Sequence, residues 1–330
     1  MAGERAHEFE LIERYLAPLA TDPGSVGLVD DAAVLSPAEG EDLVLTKDAL
    51  AADIHFFTVD PAGAIAQKAL RVNLSDLAAK GARPLGYLLG LALAPDWDER
   101  WVADFCAGLK ADQEAYGFPL YGGDTIKVSA GPVLSVTAIG ALPRGSAVRR
   151  SSARAGDRLY VTGTIGDAAL GLALRHDRDK ARAWGLDAAQ TDHLLQRYLL
   201  PEPRTQAAEA VRLHARASMD ISDGLVGDLA KMAGSSGVGA EIDLDAVPLS
   251  DAAALTVRDD AAFVTAMTGG DDYELLVAVA PEKTDAFEAA VAQSGVSLSR
   301  IGRIEAGAKV SYRRAGEVYD FGAAAGYSHF

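Results

Sequence analysis
The chain has a single cysteine, Cys106, so no disulfide can form within it, which fits a reducing cytoplasm. Positive charge is also scarce: 31 Lys and Arg face 47 Asp and Glu, a net −16. That balance argues against nucleic acid or an anionic membrane as the main partner. It would also repel ATP, unless metal ions bridged carboxylates and phosphates. No apolar run approaches the roughly 20 residues of a membrane span, and Met1 to Glu10 is charged, without the apolar centre of a signal peptide. Several catalytic signatures are missing. There is no Gly-x-x-x-x-Gly-Lys-Ser/Thr loop, no His-Arg-Asp or Asp-Phe-Gly string and no Gly-x-Ser-x-Gly elbow. No His or Cys pair has zinc-ligand spacing. Cys106 falls in an amphipathic helical pattern and reads as a buried side chain.

What is present is aspartate beside glycine or serine, in five short clusters: Asp30-Asp31, Asn73-Leu-Ser-Asp76, Gly122-Gly-Asp124, Asp220-Ile-Ser-Asp223-Gly224 and Gly269-Gly-Asp-Asp272-Tyr-Glu274. Carboxylates hold hard divalent cations, and backbone without side chains lets phosphates approach closely. Magnesium takes one or two carboxylates per ion and leaves its other positions to water and phosphate. Asp31, Asp48, Asp76, Asp124 and Asp220 fit that division. Taken singly, each such aspartate is more often a cap, a turn residue or a solvated charge. Together they would be a costly gathering of like charge without cations between them. For Asp220-Ile-Ser-Asp223-Gly224 two readings stand side by side: a cap on the following helix, or a metal or phosphate role at its N-terminus. The pattern as a whole reads as a magnesium-dependent enzyme acting on phosphorylated small molecules.

With 330 residues, the chain suits two domains. Apolar spacing predicts an amphipathic helix around Phe9 to Leu19. A short strand is expected from Asp42 to Thr46, with Lys47-Asp48 just beyond its end. A helix should run from Pro61 to Lys80 and stop at Gly81, and another from Trp97 to Tyr116, closed by Gly117. Leu85 to Ala94 and Val133 to Leu142 read as strands, and Leu120-Tyr121 as a strand stub feeding Gly122-Gly123-Asp124. The stretch from Pro143 to Asp157, rich in arginine, glycine and serine, marks a boundary, dividing the chain into 1–148 and 149–330. Strands near Leu159, Ala217, Ala240, Leu275, Ile301 and Val310, with helices after Gly166, after Gly224 and from Pro281 to Gln293, make the second part α/β. One echo joins the parts: Asp76 and Asp124 are 48 apart, as are Asp223 and Asp271. The flanking residues do not repeat, which favours coincidence.

At this level of detail the chain resembles bacterial thiamine-monophosphate kinases, within the superfamily of aminoimidazole ribonucleotide synthetase. The resemblance rests on Asp30-Asp31-Ala-Ala, Lys47-Asp48…His55-Phe56, Val72-Asn-Leu-Ser-Asp-Leu-Ala-Ala-Lys-Gly-Ala82, Gly122-Gly-Asp-Thr125, Tyr160-Val-Thr-Gly-Thr-Ile-Gly-Asp167, Asp220-Ile-Ser-Asp-Gly-Leu225, Gly269-Gly-Asp-Asp-Tyr-Glu-Leu275 and Gly326-Tyr-Ser-His-Phe330. It implies a two-domain α/β (α+β) fold. An N-terminal mixed sheet with helices would pair with that of a second subunit in a barrel-like dimer core, beside a C-terminal α/β domain. It implies transfer of the ATP γ-phosphate to thiamine monophosphate with several Mg2+ ions, directly and in line. By match, Asp31, Thr46, Lys47 (through its backbone oxygen), Asp48, Asp76, Asp124, Asp220 and Asp223 would ligate metal. Gly123, Asp124, Arg150 and Ser222 would contact ATP, and His55 and Asp271 the thiamine phosphate. Asp48, Asp124 and Arg150 would be catalytic.

Three residues depart from the family pattern: Val29 where glycine is common, Lys47 where threonine is usual, and Ala324 where an aromatic would stack on thiamine, with Phe321 as a stand-in. Rival readings are a synthetase of the same superfamily and a non-catalytic cation- or nucleotide-binding protein. A selenophosphate synthetase would carry a reactive N-terminal cysteine, and the hydrogenase maturation protein would end in one. This chain has neither.

Overall fold
The computed structural model describes residues 7–322. It divides into two compact units, Met1–Leu77 with Arg83–Gly145, and Ala78–Ala82 with Ser146–Phe330.

The first unit holds a four-stranded sheet: β1 (Glu41–Ala51), β2 (Arg83–Leu93), β3 (Leu120–Lys127) and β4 (Val133–Pro143), in the order β1-β4-β2-β3. Only β2 and β3 run parallel, and the helix Glu99–Tyr116 makes the crossover between them. Asp98 caps that helix by accepting from the Trp101 amide at 2.7 Å, and Gly117 ends it at φ 61°. The helix Ala62–Lys80 packs beside it so closely that a Cβ on Gly108 would lie 2.2 Å from the Gly63 carbonyl oxygen. Arg71 clamps the pair through two bonds of 2.8–2.9 Å to the buried Asp112.

The sheet has one covered and one open face. Leu134, Val136, Ala138, Leu89 and Leu91 are buried, whereas Leu43, Leu45, Leu88 and Ile126 are 37%, 64%, 38% and 54% exposed. The sheet is open at both edges, so no closed barrel exists among the described residues.

Two sequence expectations change here. β1 does not stop at Thr46: its antiparallel ladder with β4 runs from Glu41↔Pro143 to Ala51↔Val133, so Lys47 and Asp48 lie inside the strand. Gly122-Gly123-Asp124 is not a loop after a strand stub but the middle of β3, because β2 supplies backbone partners through Lys127. Tertiary pairing overrides the weak strand propensity of glycine and aspartate.

The second unit is a seven-stranded sheet in the order β11-β10-β7-β9-β5-β8-β6. Its strands are β5 (Arg158–Thr162), β6 (Ala215–Ile221), β7 (Gly239–Asp243), β8 (Glu274–Val279), β9 (Leu298–Glu305), β10 (Val310–Arg314) and β11 (Glu317–Tyr319). Every residue of β8 is buried. Its two-residue period sends Leu276 and Ala278 into one core and Leu275, Val277 and Val279 into another, with helices on both sides. Two helices not expected from the sequence, Asp251–Thr256 and Asp260–Thr268, are capped by Ser250 and Asp259.

Glu274 opens β8 fully buried, accepting from Thr162 Oγ1 at 2.7 Å, Arg197 at 2.9 Å and Arg204 Nε at 2.6 Å. Gly163 stands at φ 58°, and a Cβ there would lie 2.0 Å from Glu274 Oε1. Glu274 cannot retreat without giving up its bonds to Thr162, Arg197 and Arg204. Gly163→Ala should therefore cost about 3 kcal/mol or more in urea unfolding. An unchanged urea midpoint would show that this contact yields.

Candidate metal and phosphate site
In the first unit, the period of β1 sorts the predicted ligands. Even residues face the helix Ala62–Lys80, and the Thr46 hydroxyl donates a short hydrogen bond to Asp76. Asp48 follows two residues later on that face, half-buried. Thr46, Asp48 and Asp76 thus offer hard oxygen donors from two rigid elements, the type that magnesium takes. Lys47 points to the opposite, open face, where its ammonium donates to Ser135 Oγ at 2.7 Å. Its charge is directed away from Asp76.

Asp124 pairs with Gly90 on β2, and Gly90 with Ser135 on β4. It therefore shares the open face with Lys47, three strands from β1, about 14 Å at ordinary strand spacing. The expectation that Asp48, Asp76 and Asp124 come together is not met within one chain. Among the described residues no three of His, Cys, Asp and Glu stand close enough to hold a metal ion.

Asp31 and Asp124 do share a feature: both line a cavity of about 620 Å³, with Asp30, Gly123 and Ser135. Its charged lining residues, Glu8, Asp30, Asp31 and Asp124, are all acidic. Gly123 serves the sheet directly, since a Cβ would lie 1.9 Å from the Leu89 carbonyl oxygen. Val29 has φ −100° and ψ −3°, so its backbone does not require glycine. His55 sits in the turn after β1, half-buried, its Nδ1 accepting from the Ala51 amide at 3.1 Å. The buried Lys68 holds that turn by donating to the His55 carbonyl at 3.0 Å, a role no sequence signal marked.

In the second unit, two loops are cinched together by backbone. The Asp271 amide donates to the Ser222 carbonyl at 2.9 Å, and the Tyr273 amide to that of Ile221 at 2.8 Å. A Cβ on Gly270 would lie 2.0 Å from the Ser222 carbonyl oxygen, which explains the glycine. Asp271 and Tyr273 adopt φ of 70° and 52°, a left-handed backbone uncommon outside glycine. This arrangement brings Asp220, Ser222, Asp223 and Asp271 to one end of the sheet. Asp228 organises the loop by accepting from the amides of Ser222 (3.0 Å) and Asp223 (2.9 Å). Burial pushes the Asp228 carboxyl up, only partly offset by Lys231. Lys231 bonds both Asp228 and Asp223. Asp228 and Lys231 were missed from the sequence, although Asp223, Asp228 and Lys231 follow one another at five and three residues.

Arg150 is not with this group. Its carbonyl accepts from Ser236 Oγ at 3.0 Å, at the far end of the helix Leu225–Ser236. Its backbone is about 18 Å of helix from Ser222. The echo also dissolves: Asp76 is helical and Asp124 in a strand, whereas Asp223 and Asp271 are both in loops. Phe321 lies in an aromatic cluster, its ring 5.0 Å from Tyr312 and 4.9 Å from Tyr319. Ala324 and Gly326 to Phe330 fall outside the described residues.

Buried carboxylates frame this end. Asp272 accepts the Gly166 amide, and burial holds its carboxyl well above the usual range. Asp167 accepts from Thr164 and from His193 Nε2 at 3.1 Å; burial alone would raise its carboxyl, but these bonds and that from Ser250 bring it below the usual value. The bond to Asp167 raises His193 above its ordinary 6.5. The raised imidazole contributes stability below 6.5, lost as pH rises through its folded value. Thermal melts should show this loss in the parent protein and not in His193→Asn. Parallel curves from pH 6 upward would separate His193 from stability.

Residues 29–142 match the N-terminal domain, and residues 154–314 the C-terminal domain, of AIR synthase related proteins. The two-domain fold is thus that of this class. The similarity narrows further. The chain is 41% identical over 309 residues to the thiamine-monophosphate kinase of Caulobacter vibrioides, covering 92% of this chain and 86% of the relative. It is 41% identical over 303 residues to that of Escherichia coli K12, covering 91% and 90%. The crystal structure of thiamine-monophosphate kinase from Stenotrophomonas maltophilia K279a superposes at TM-score 0.83 with 40% identity, over 94% of this chain and 98% of that one. AaThiL complexed with AMPPCP and TMP does so at TM-score 0.75 with 32% identity, over 98% and 97%. The chain belongs to the thiamine-monophosphate kinase family.

Proposed function
We propose that this chain transfers the γ-phosphate of ATP to thiamine monophosphate, giving ADP and thiamine diphosphate, directly and without a phosphoenzyme. The observation that carries this reading is the set Thr46, Asp48 and Asp76, hard donors offered by one face of β1 and the helix Ala62–Lys80, in a chain similar over almost its whole length to a protein crystallised with AMPPCP and TMP. The acceptor is already a phosphate monoester, largely ionised near neutrality, so it needs little general base. The difficulty is that one anion must approach another. Alignment and charge neutralisation then make up most of the catalysis.

Magnesium, when bound, would supply that neutralisation. Asp31, Thr46, the Lys47 carbonyl, Asp48, Asp76, Asp124, Asp220 and Asp223 would hold several such ions. Gly123, Asp124, Arg150 and Ser222 would orient ATP, and His55 and Asp271 the thiamine phosphate. Asp48→Asn and Asp124→Asn should each slow ADP release by about 10²-fold or more. Complete chelation should stop it, and no phosphate should remain on the protein. Rates near those of the parent at saturating magnesium would remove these residues from the site.

The working form in this reading is a homodimer in the cytoplasm, with residues 1–148 forming the dimer core and the metal and ATP site, and residues 149–330 the second domain. The open sheet face supports it, because Leu45 and Ile126 are more than half exposed there. In this reading each site draws Asp48 and Asp124 from different chains. Mixing Asp48→Asn with Asp124→Asn, both nearly inactive alone, should restore about a quarter of parental activity after subunit exchange, because half the dimers then carry one intact site. No recovery after proven exchange would mean that both carboxylates act within one chain.

A further inference from the structure
The cavity shared by Asp31 and Asp124 suits a phosphate in shape and opposes it in charge. It lies over the open face of the first sheet, and part of its floor has no side chains. Gly90 lines it and pairs in register with both Ser135 and Asp124, and Gly122 lines it beside them. Bare backbone lets a phosphate approach closely. Yet every charged residue of the lining is an acid, and the chain as a whole carries −16. An anion seated there needs positive charge beside it.

Lys47 stands where it can supply that charge. Register sets Lys47 opposite Thr137, and its ammonium donates to Ser135 Oγ at 2.7 Å. Thr137 and Ser135 both line the cavity, so the ammonium is tethered at its edge. The partner is a neutral hydroxyl. Arg71 and Arg83 of the same unit are spent on Asp112 and Glu41, whereas the charge of Lys47 is not taken up by a carboxylate. Only Gly90 separates Ser135 from Asp124 along the sheet. The tethered ammonium and the Asp124 carboxylate therefore border a bare strip two strand spacings wide, about 10 Å. We propose that Lys47 Nζ binds the phosphate chain of ATP over Gly90, from the side opposite Asp124. The assignment rests on the kinase reading above, which places ATP at Gly123 and Asp124. In this role the lysine carries part of the neutralisation, and less of it falls to magnesium.

AMPPCP keeps the phosphate chain and adenosine lacks it, so the pair separates charge from packing. Lys47→Met keeps the length of the side chain and removes its charge. In calorimetry with magnesium it should weaken AMPPCP binding about tenfold, the worth of one charge-assisted hydrogen bond, and leave adenosine within about twofold. Lys47→Arg should hold AMPPCP within about threefold of the parent protein. Half-maximal ADP release should need more magnesium in Lys47→Met than in the parent. Unchanged AMPPCP binding in Lys47→Met, or an equal loss for AMPPCP and adenosine, would overturn the proposal while the kinase reading stands. A parent protein that binds AMPPCP but releases no ADP with thiamine monophosphate would overturn that reading instead, and the two binding titrations would then decide Lys47 by themselves.

Discussion

The two-residue period of β1 constrains the first unit more than any other feature. An eleven-residue strand paired along its whole length with β4 leaves no freedom over which side each residue takes. Thr46 and Asp48 go to the helix, where Asp76 meets them, and Lys47 goes to the open face with Ser135. A one-residue slip would exchange these roles and put Leu43 and Leu45 against the helix. The apolar alternation and the hard-donor alternation are therefore one pattern, and the register that seats the core also seats the acids.

In the second unit the corresponding constraint is close backbone approach. Loops 220–224 and 269–273 are joined by amide–carbonyl bonds, and Gly270 permits a distance at which any side chain would collide. Around them, aspartate and glutamate do two different jobs. Asp228, Asp272 and Glu274 are buried and spent on amides and arginines, so they shape the loops. Asp223 and Asp271 keep partial exposure at the same end of the sheet. Net charge cannot separate these classes, because a buried acid and a half-exposed one count alike in composition.

Local signals were legible wherever one residue decides the backbone. Gly81 and Gly117 end their helices with positive φ, where the sequence expects them to. The long helix carrying Asn73 and Asp76 reads from its ends, with Pro61 at the start and Gly81 at the stop. Illegible were segments whose state depends on a distant strand. Gly122-Gly123-Asp124 has poor strand propensity but is held in β3 by β2, and Lys47-Asp48 looks like the start of a turn until β4 is seen to continue beside it. The helices Asp251–Thr256 and Asp260–Thr268 were missed because their alanine-rich faces give little periodic contrast.

The amino-acid sequence by itself determined the chemistry on offer: aspartate beside glycine and serine in five places, one thiol and no nucleophile motif. Motif content also determined the family, because those strings are short, specific and spread over the chain. Only the tertiary structure decided which acids meet. It joined Thr46 to Asp76, put Asp31 and Asp124 on one cavity, and separated Asp124 from Asp48 and Arg150 from Ser222. Such distances follow from strand order, register and helix length, and a linear pattern does not carry them.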